Sequence, residues 1–160
     1  MRTANYLLLI SCIAILFSCK TEVKKDLVVT SEVEVVKEKS IYEKMGGEEG
    51  VSLIVEDIVA MHMENAKIQH YFIPLKENPD HFNQFKQHVK DFLGAGTGGS
   101  IEYKGRDMQT THKGLNLSES DFLEAIDDIL SVLDKHKVDR VSRNELLAIL
   151  YSMKAAIIKQ

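Results

Sequence analysis

From residue 40 onward the apolar side chains recur at helical spacing, and nowhere do apolar and polar residues alternate over a long run. That pattern argues against a sheet protein and for an all-α chain. Val51, Ile54, Val55, Ile58, Val59 and the Met61-His62 pair share one face of a helix that reaches about Asn65. Phe82, Phe85, His88, Val89, Phe92 and Leu93 share a second face. Phe122, Ala125, Ile126, Ile129, Leu130 and Leu133 mark a third long helix, and Leu146 through Ile158 a fourth.

Start and stop signals agree with these faces. Ser40-Ile-Tyr-Glu43 is a capping box that opens a short helix ended by Gly46-Gly47. Glu48 and Glu49 favour a helix start by complementing its dipole. Asp80 is placed to cap the helix of Phe82–Leu93, Ser118-Glu-Ser-Asp121 the next, and Ser142-Arg-Asn-Glu145 the last. Residues 68–79 hold Tyr71-Phe72 and both prolines, and read as a turn with aromatic anchors. Four glycines in the six residues Gly94–Gly99 predict a break, so 94–117 is expected to be loose. Five or so helices result.

Charge and cysteine narrow the function. The chain carries a net charge of −4, Arg2 is the only charge before residue 19, and the ten charges of 20–39 cancel. Residues 40–160 therefore hold a net −5 with scattered Lys and Arg. A basic stripe for a phosphate backbone is missing, so no nucleic-acid partner is expected. The two cysteines, Cys12 and Cys19, both precede this domain. Disulfides, thiolate catalysis and Cys-ligated zinc or iron–sulfur centres are thereby excluded from it.

Three segments follow: 1–18, 19–39 and 40–160. Residues 6–17 are about a dozen mostly apolar residues, the length of a signal-peptide core and too short to span a bilayer. Leu16-Phe17-Ser18-Cys19 resembles the bacterial lipobox, with Phe17 bulkier than usual. The resemblance implies cleavage before Cys19, its acylation, and an exported lipoprotein anchored on the periplasmic or cell-surface side of a membrane. The charged 20–39 stretch reads as a solvated tether.

Six histidines offer the chemistry: His62, His70, His81, His88, His112 and His136. No His-x-x-x-His occurs, and His81 and His88, seven apart, lack a third ligand beside them, so a zinc site has little support. Asp127-Asp128 and Glu48-Glu49 read as solvated helix surface, and Gly94–Gly99 lacks the Lys-Ser/Thr of a phosphate loop. His112 has a richer setting, between Tyr103-Lys-Gly-Arg106, Met108 and Lys113-Gly-Leu115.

With that setting, residues 40–158 resemble a group I truncated haemoglobin, a shortened globin that sandwiches haem between two helix pairs. Ser40-Ile-Tyr-Glu-Lys-Met-Gly-Gly47 is similar to the family's opening, Val55-Glu-Asp57 to its second helix, and Tyr71-Phe72 to its haem-packing aromatic pair. His88-Val-Lys-Asp-Phe-Leu93 is similar to the distal helix and Gly98-Gly99 to the second Gly-Gly. Tyr103-Lys-Gly-Arg106, Met108 and His112-Lys-Gly-Leu115 are similar to the proximal stretch. The resemblance implies a two-over-two helical sandwich around haem b, with His112 ligating the iron. Haem needs an axial imidazole, apolar walls and cations at its rim. Val59, Phe72, Phe85, Val89, Phe92, Met108, Leu115 and Phe122 would be the walls, and Lys86, Lys104 and Arg106 the propionate partners.

Departures from the family leave mechanisms open. Family members use a Tyr on the second helix and a Gln on the distal helix to hold iron-bound oxygen. The matching positions here are Val59 and Val89, with Phe85 a turn earlier, and none can donate. In one mechanism His112 is the sole protein ligand and the distal side takes a diatomic gas (oxygen, carbon monoxide or nitric oxide). In another His88, or more weakly His81, also ligates, giving a low-spin haem for electron transfer with a redox partner, or for redox sensing. A haemless interaction module is the competing class, and a peroxidase-like enzyme would need His88 as its acid–base group. The chain reads more as a ligand-binding haem protein than as an enzyme.

Overall fold

The computed structural model describes residues 37–160. The signal sequence, Cys19 and all but the last three residues of the tether lie outside the described residues. Eight helices are present among the described residues: α1 (Ile41–Lys44), α2 (Gly47–Glu64), α3 (Gln69–Phe72), α4 (Pro79–Gly96), α5 (Met108–His112), α6 (Glu119–Lys135), α7 (Arg140–Ser152) and α8 (Lys154–Ile157). A 3₁₀ turn, Ile73–Glu77, joins α3 to α4. None of these helices is long and apolar enough to cross a membrane.

Two helix pairs make the architecture. α2 packs on α4, α6 packs on α7, and α2 also lies against α6, so the pairs face one another. This is the all-α two-over-two sandwich that the sequence led us to expect. Its core sits where α2, α6 and α7 meet, with Ile54, Val55, Val132, Leu133 and Leu146 at most 2% exposed.

Local chemistry sets the ends of the helices. The Ser40 hydroxyl accepts from the Glu43 N–H (3.2 Å) and the Glu43 carboxylate from the Ser40 N–H (2.7 Å), the reciprocal cap read from the sequence. Ser118 and Asp121 repeat it at α6. Two starts differ from expectation. At α4 the cap is Asn78, whose side-chain oxygen accepts from the His81 N–H at 3.0 Å, with Pro79 in the first helical position. Asp80 lies one residue inside. At α7 the cap is Asp139, which accepts from the N–H groups of Val141 and Ser142. Ser142 is fully buried, and its hydroxyl donates to Asp139 at 2.6 Å.

The glycine run also differs. Instead of breaking at Gly94, α4 continues through Gly96, because glycine costs a helix only about 1 kcal/mol. A Cβ on Gly94 would lie 2.5 Å from Ile101 Cδ1, the movable tip of that side chain. The chain turns out at Thr97 and Gly98, where φ reaches +93°. The segment expected to be loose contains α5, capped by Asp107. The C-terminal helix stops at Ser152 and restarts as α8, which packs on α5. Backbone bonds from Lys159 to Leu117 (2.9 Å) and from Gly114 to Gln160 (3.0 Å) hold that end against the segment following α5.

Candidate functional site

Between the helix pairs lies a cavity of about 430 Å³. It is bounded by α2, α3, α4, α5, α6, α7 and α8, so only the folded sandwich creates it. Val59, Phe72, Phe85, Val89, Phe92, Met108, Leu115 and Phe122 all line it. Val59 and Phe122 are buried, the next five are half-buried or nearly so, and Leu115 stands at the edge, 41% exposed. The helical faces explain this convergence: Ile58, Val59 and His62 project from one side of α2, and Phe85, Val89, Phe92 and Leu93 from one side of α4. Phe72 lies 6.2 Å from Phe85, ring centre to ring centre, and Phe92 meets Tyr103 edge-on at 5.1 Å.

His112 ends α5 and lines the cavity. Its Nδ1–H donates to the Met108 carbonyl at 2.7 Å, one helical turn back. That bond fixes the ring and its tautomer and leaves the Nε2 lone pair uncommitted, the state a neutral imidazole needs to ligate a metal. α5 itself is set by Asp107, whose carboxylate accepts from the Thr110 N–H and hydroxyl at 2.8 Å each.

The three cations expected at the rim separate. Arg106 lines the cavity and is exposed. Lys86 is outside the lining, because Glu56 of α2 holds its ammonium at 2.8 Å and that of Lys90 at 3.0 Å. Partial burial pushes the Glu56 carboxyl up, but the hydrogen bonds and charges of the two lysines outweigh it and hold the group below the usual range. Lys104 is also outside, 79% exposed at its side chain and 3.4 Å from Glu102. His88 is exposed and outside the lining, whereas His81 lies at the edge of the cavity.

Sequence reasoning missed one group. His62, only 6% exposed, lines the cavity and stacks on Phe72 at 4.9 Å. Its Nδ1–H donates to the Asp128 carboxylate at 2.9 Å, and Asn65 Nδ2 donates to both oxygens of Asp128 at 3.1 Å. Asp128 is therefore no solvated surface carboxylate: its side chain is 13% exposed. Burial pushes the His62 imidazole below its ordinary range, against the opposing pull of Asp128. The apolar face of α2 was a signal for His62; nothing in the sequence pairs it with a residue 66 positions on.

A helical sandwich enclosing an apolar cavity, with one imidazole tied back to a carbonyl, defines the globin class of site. The family model for bacterial-like globins matches residues 40–159. The group 1 truncated haemoglobin of Tetrahymena pyriformis is 32% identical over 114 residues, covering 71% of this chain and 90% of that one. A Synechocystis group 1 truncated haemoglobin is 32% identical over 98 residues, covering 59% and 75%. In structure, the truncated haemoglobin of Tetrahymena pyriformis in its Fe(III) form superposes with a TM-score of 0.69 at 26% identity, over 76% of this chain and all of that one. The 2/2 haemoglobin of Synechococcus, with covalently attached haem, gives 0.64 at 25% identity over 72% and 94%. The chain belongs to the bacterial-like globins and, among them, to the group 1 truncated haemoglobins.

Proposed function

We propose that this globin would hold haem b in the cavity between its helix pairs, with His112 Nε2 as the protein ligand to iron, and would bind a diatomic gas there. One observation carries the reading: the cavity-lining His112 donates its Nδ1–H to Met108, so its second nitrogen is free to ligate. The remaining residues fit the group as well. The walls are aromatic and aliphatic, the volume is within the range of cofactor sites, and Arg106 supplies a rim cation for a propionate. When bound, haem supplies the iron at which the gas is held. Phe85, Val59 and Val89 exclude water and offer no donor, so oxygen would forgo a hydrogen bond from them worth about 1.5–3 kcal/mol, roughly ten- to a hundredfold in retention. Carbon monoxide, which carries little charge, would lose less. A second histidine ligand draws no support from His88, which is exposed and outside the lining.

The leader and Cys19 support an exported lipoprotein held at a membrane by acyl chains, with the globin domain on a charged tether. Haem titration tests the site. The full chain should take up one haem with a sharp Soret band, and His112→Ala should lose it on gel filtration. His112→Gly with added imidazole should regain it. Retention by His112→Ala with an unchanged spectrum would overturn the assignment.

A further inference from the structure

His62 gives the cavity a second piece of chemistry. It stands a turn beyond Ile58 and Val59 on the same face of α2, so it reaches the cavity with them. One edge of its ring is committed to Asp128, which lies on α6 outside the lining. The ring face is committed to Phe72, another wall residue. In the neutral ring, which burial favours, donating Nδ1–H to a carboxylate leaves Nε2 on the opposite edge as a lone pair. That nitrogen has no protein partner, yet no buried side-chain N or O among the described residues is left unpaired, so it is open to the space that His62 borders. Asn65 fixes Asp128 through both oxygens, and the Asn65 amide also reaches Glu124 (3.4 Å), itself paired with Lys67. The arrangement is a carboxylate-oriented imidazole, base outward, in an apolar wall.

We propose that His62 accepts a proton from a small protic ligand, H–X, in the cavity, with hydrogen sulfide, hydrogen cyanide and hydrogen peroxide as the chemical class. This rests on the haem reading for where X⁻ goes, but not for the imidazole. The H–X bond breaks, its electron pair stays on X, the proton bonds to Nε2, and Asp128 balances the imidazolium. X⁻ is then left as an anion able to bind a cationic metal. Nothing is oxidised. A neutral gas without a proton gains nothing from the same nitrogen, because an acceptor cannot stabilise the negative end of bound oxygen. The wall is thereby selective for ligands that must shed a proton to bind.

Two measurements test this on the full chain. Nitrogen-15 NMR of the imidazoles near pH 7, with no iron present, should show His62 as the Nδ1–H tautomer with an unprotonated Nε2. An Nε2–H tautomer would overturn the proposal whatever the haem does. On the haem-loaded ferric protein, His62→Phe should slow association of hydrogen cyanide at least tenfold, while carbon monoxide association to the ferrous form stays within twofold. Asp128→Asn, which keeps the volume and lowers the basicity, should slow cyanide less. Equal slowing of both ligands would make His62 a mere wall, and no slowing of either would also reject the idea. Failure of the wild-type chain to take up haem would count against the haem reading, leaving the tautomer to decide this one.

Discussion

Two imidazoles share one cavity, and their hydrogen-bond partners divide their work. His112 is tied to a neutral carbonyl, as the proposed iron ligand would require; His62 is tied to a carboxylate, as the proposed base would require. The second tie has a stability consequence. Because burial lowers the His62 pKa below 6.5, the folded chain binds fewer protons there than the unfolded one. Its contribution is fully present above the unfolded value and is lost as pH falls through about 6.5 toward the lower folded pKa. Lowered carboxylates such as Glu56 and Asp121 act in a more acidic window. Urea midpoints at about pH 7.5 and 5.5 should therefore fall with acidification in the wild type and fall less in His62→Phe; equal falls would contradict this. The wall residues were legible because a helical face announces itself at a spacing of 3.6. Lys86 and Asp128 were not, since what captures or buries them is Glu56, 30 positions away, and His62.

At the scale of elements, the junction of α1 and α2 sets the angle at which the second helix enters the sandwich. Gly50 lets the two approach: a Cβ there would stand 1.8 Å from the Met45 carbonyl oxygen, and backbone cannot step aside. Gly50→Ala should cost roughly 3 kcal/mol in urea unfolding, from forced overpacking. A cost under about 1 kcal/mol would show that the junction relaxes freely. The capping boxes at Ser40 and Ser118 were readable because both partners lie within four residues. The continuation of α4 across Gly94 was not, because a run of glycines reads as a break although each costs a helix only about 1 kcal/mol. The start of α7 was missed for a related reason: Ser142 and Asp139 are equally good caps in isolation, and burial of Ser142 selects Asp139.

For the whole molecule, the cavity joins helices from both pairs, so filling it should couple their stabilities. A ligand that binds only the folded chain raises stability by about 2.7 kcal/mol at a hundredfold excess over its Kd. If Cys19 is acylated, in a bacterial host the wild-type chain should take up labelled palmitate and sediment with membranes, and Cys19→Ala should do neither. Labelling of Cys19→Ala would show that Cys19 is not the acylated residue. Whether His112 alone ligates the iron shows in the ferrous absorption spectrum of the haem-reconstituted chain, before and after carbon monoxide. A five-coordinate, high-spin spectrum should convert fully to a six-coordinate, low-spin one if His112 is the sole protein ligand. A spectrum already low-spin before any gas is added would contradict the open sixth position, and the absence of a Soret band would contradict haem binding itself.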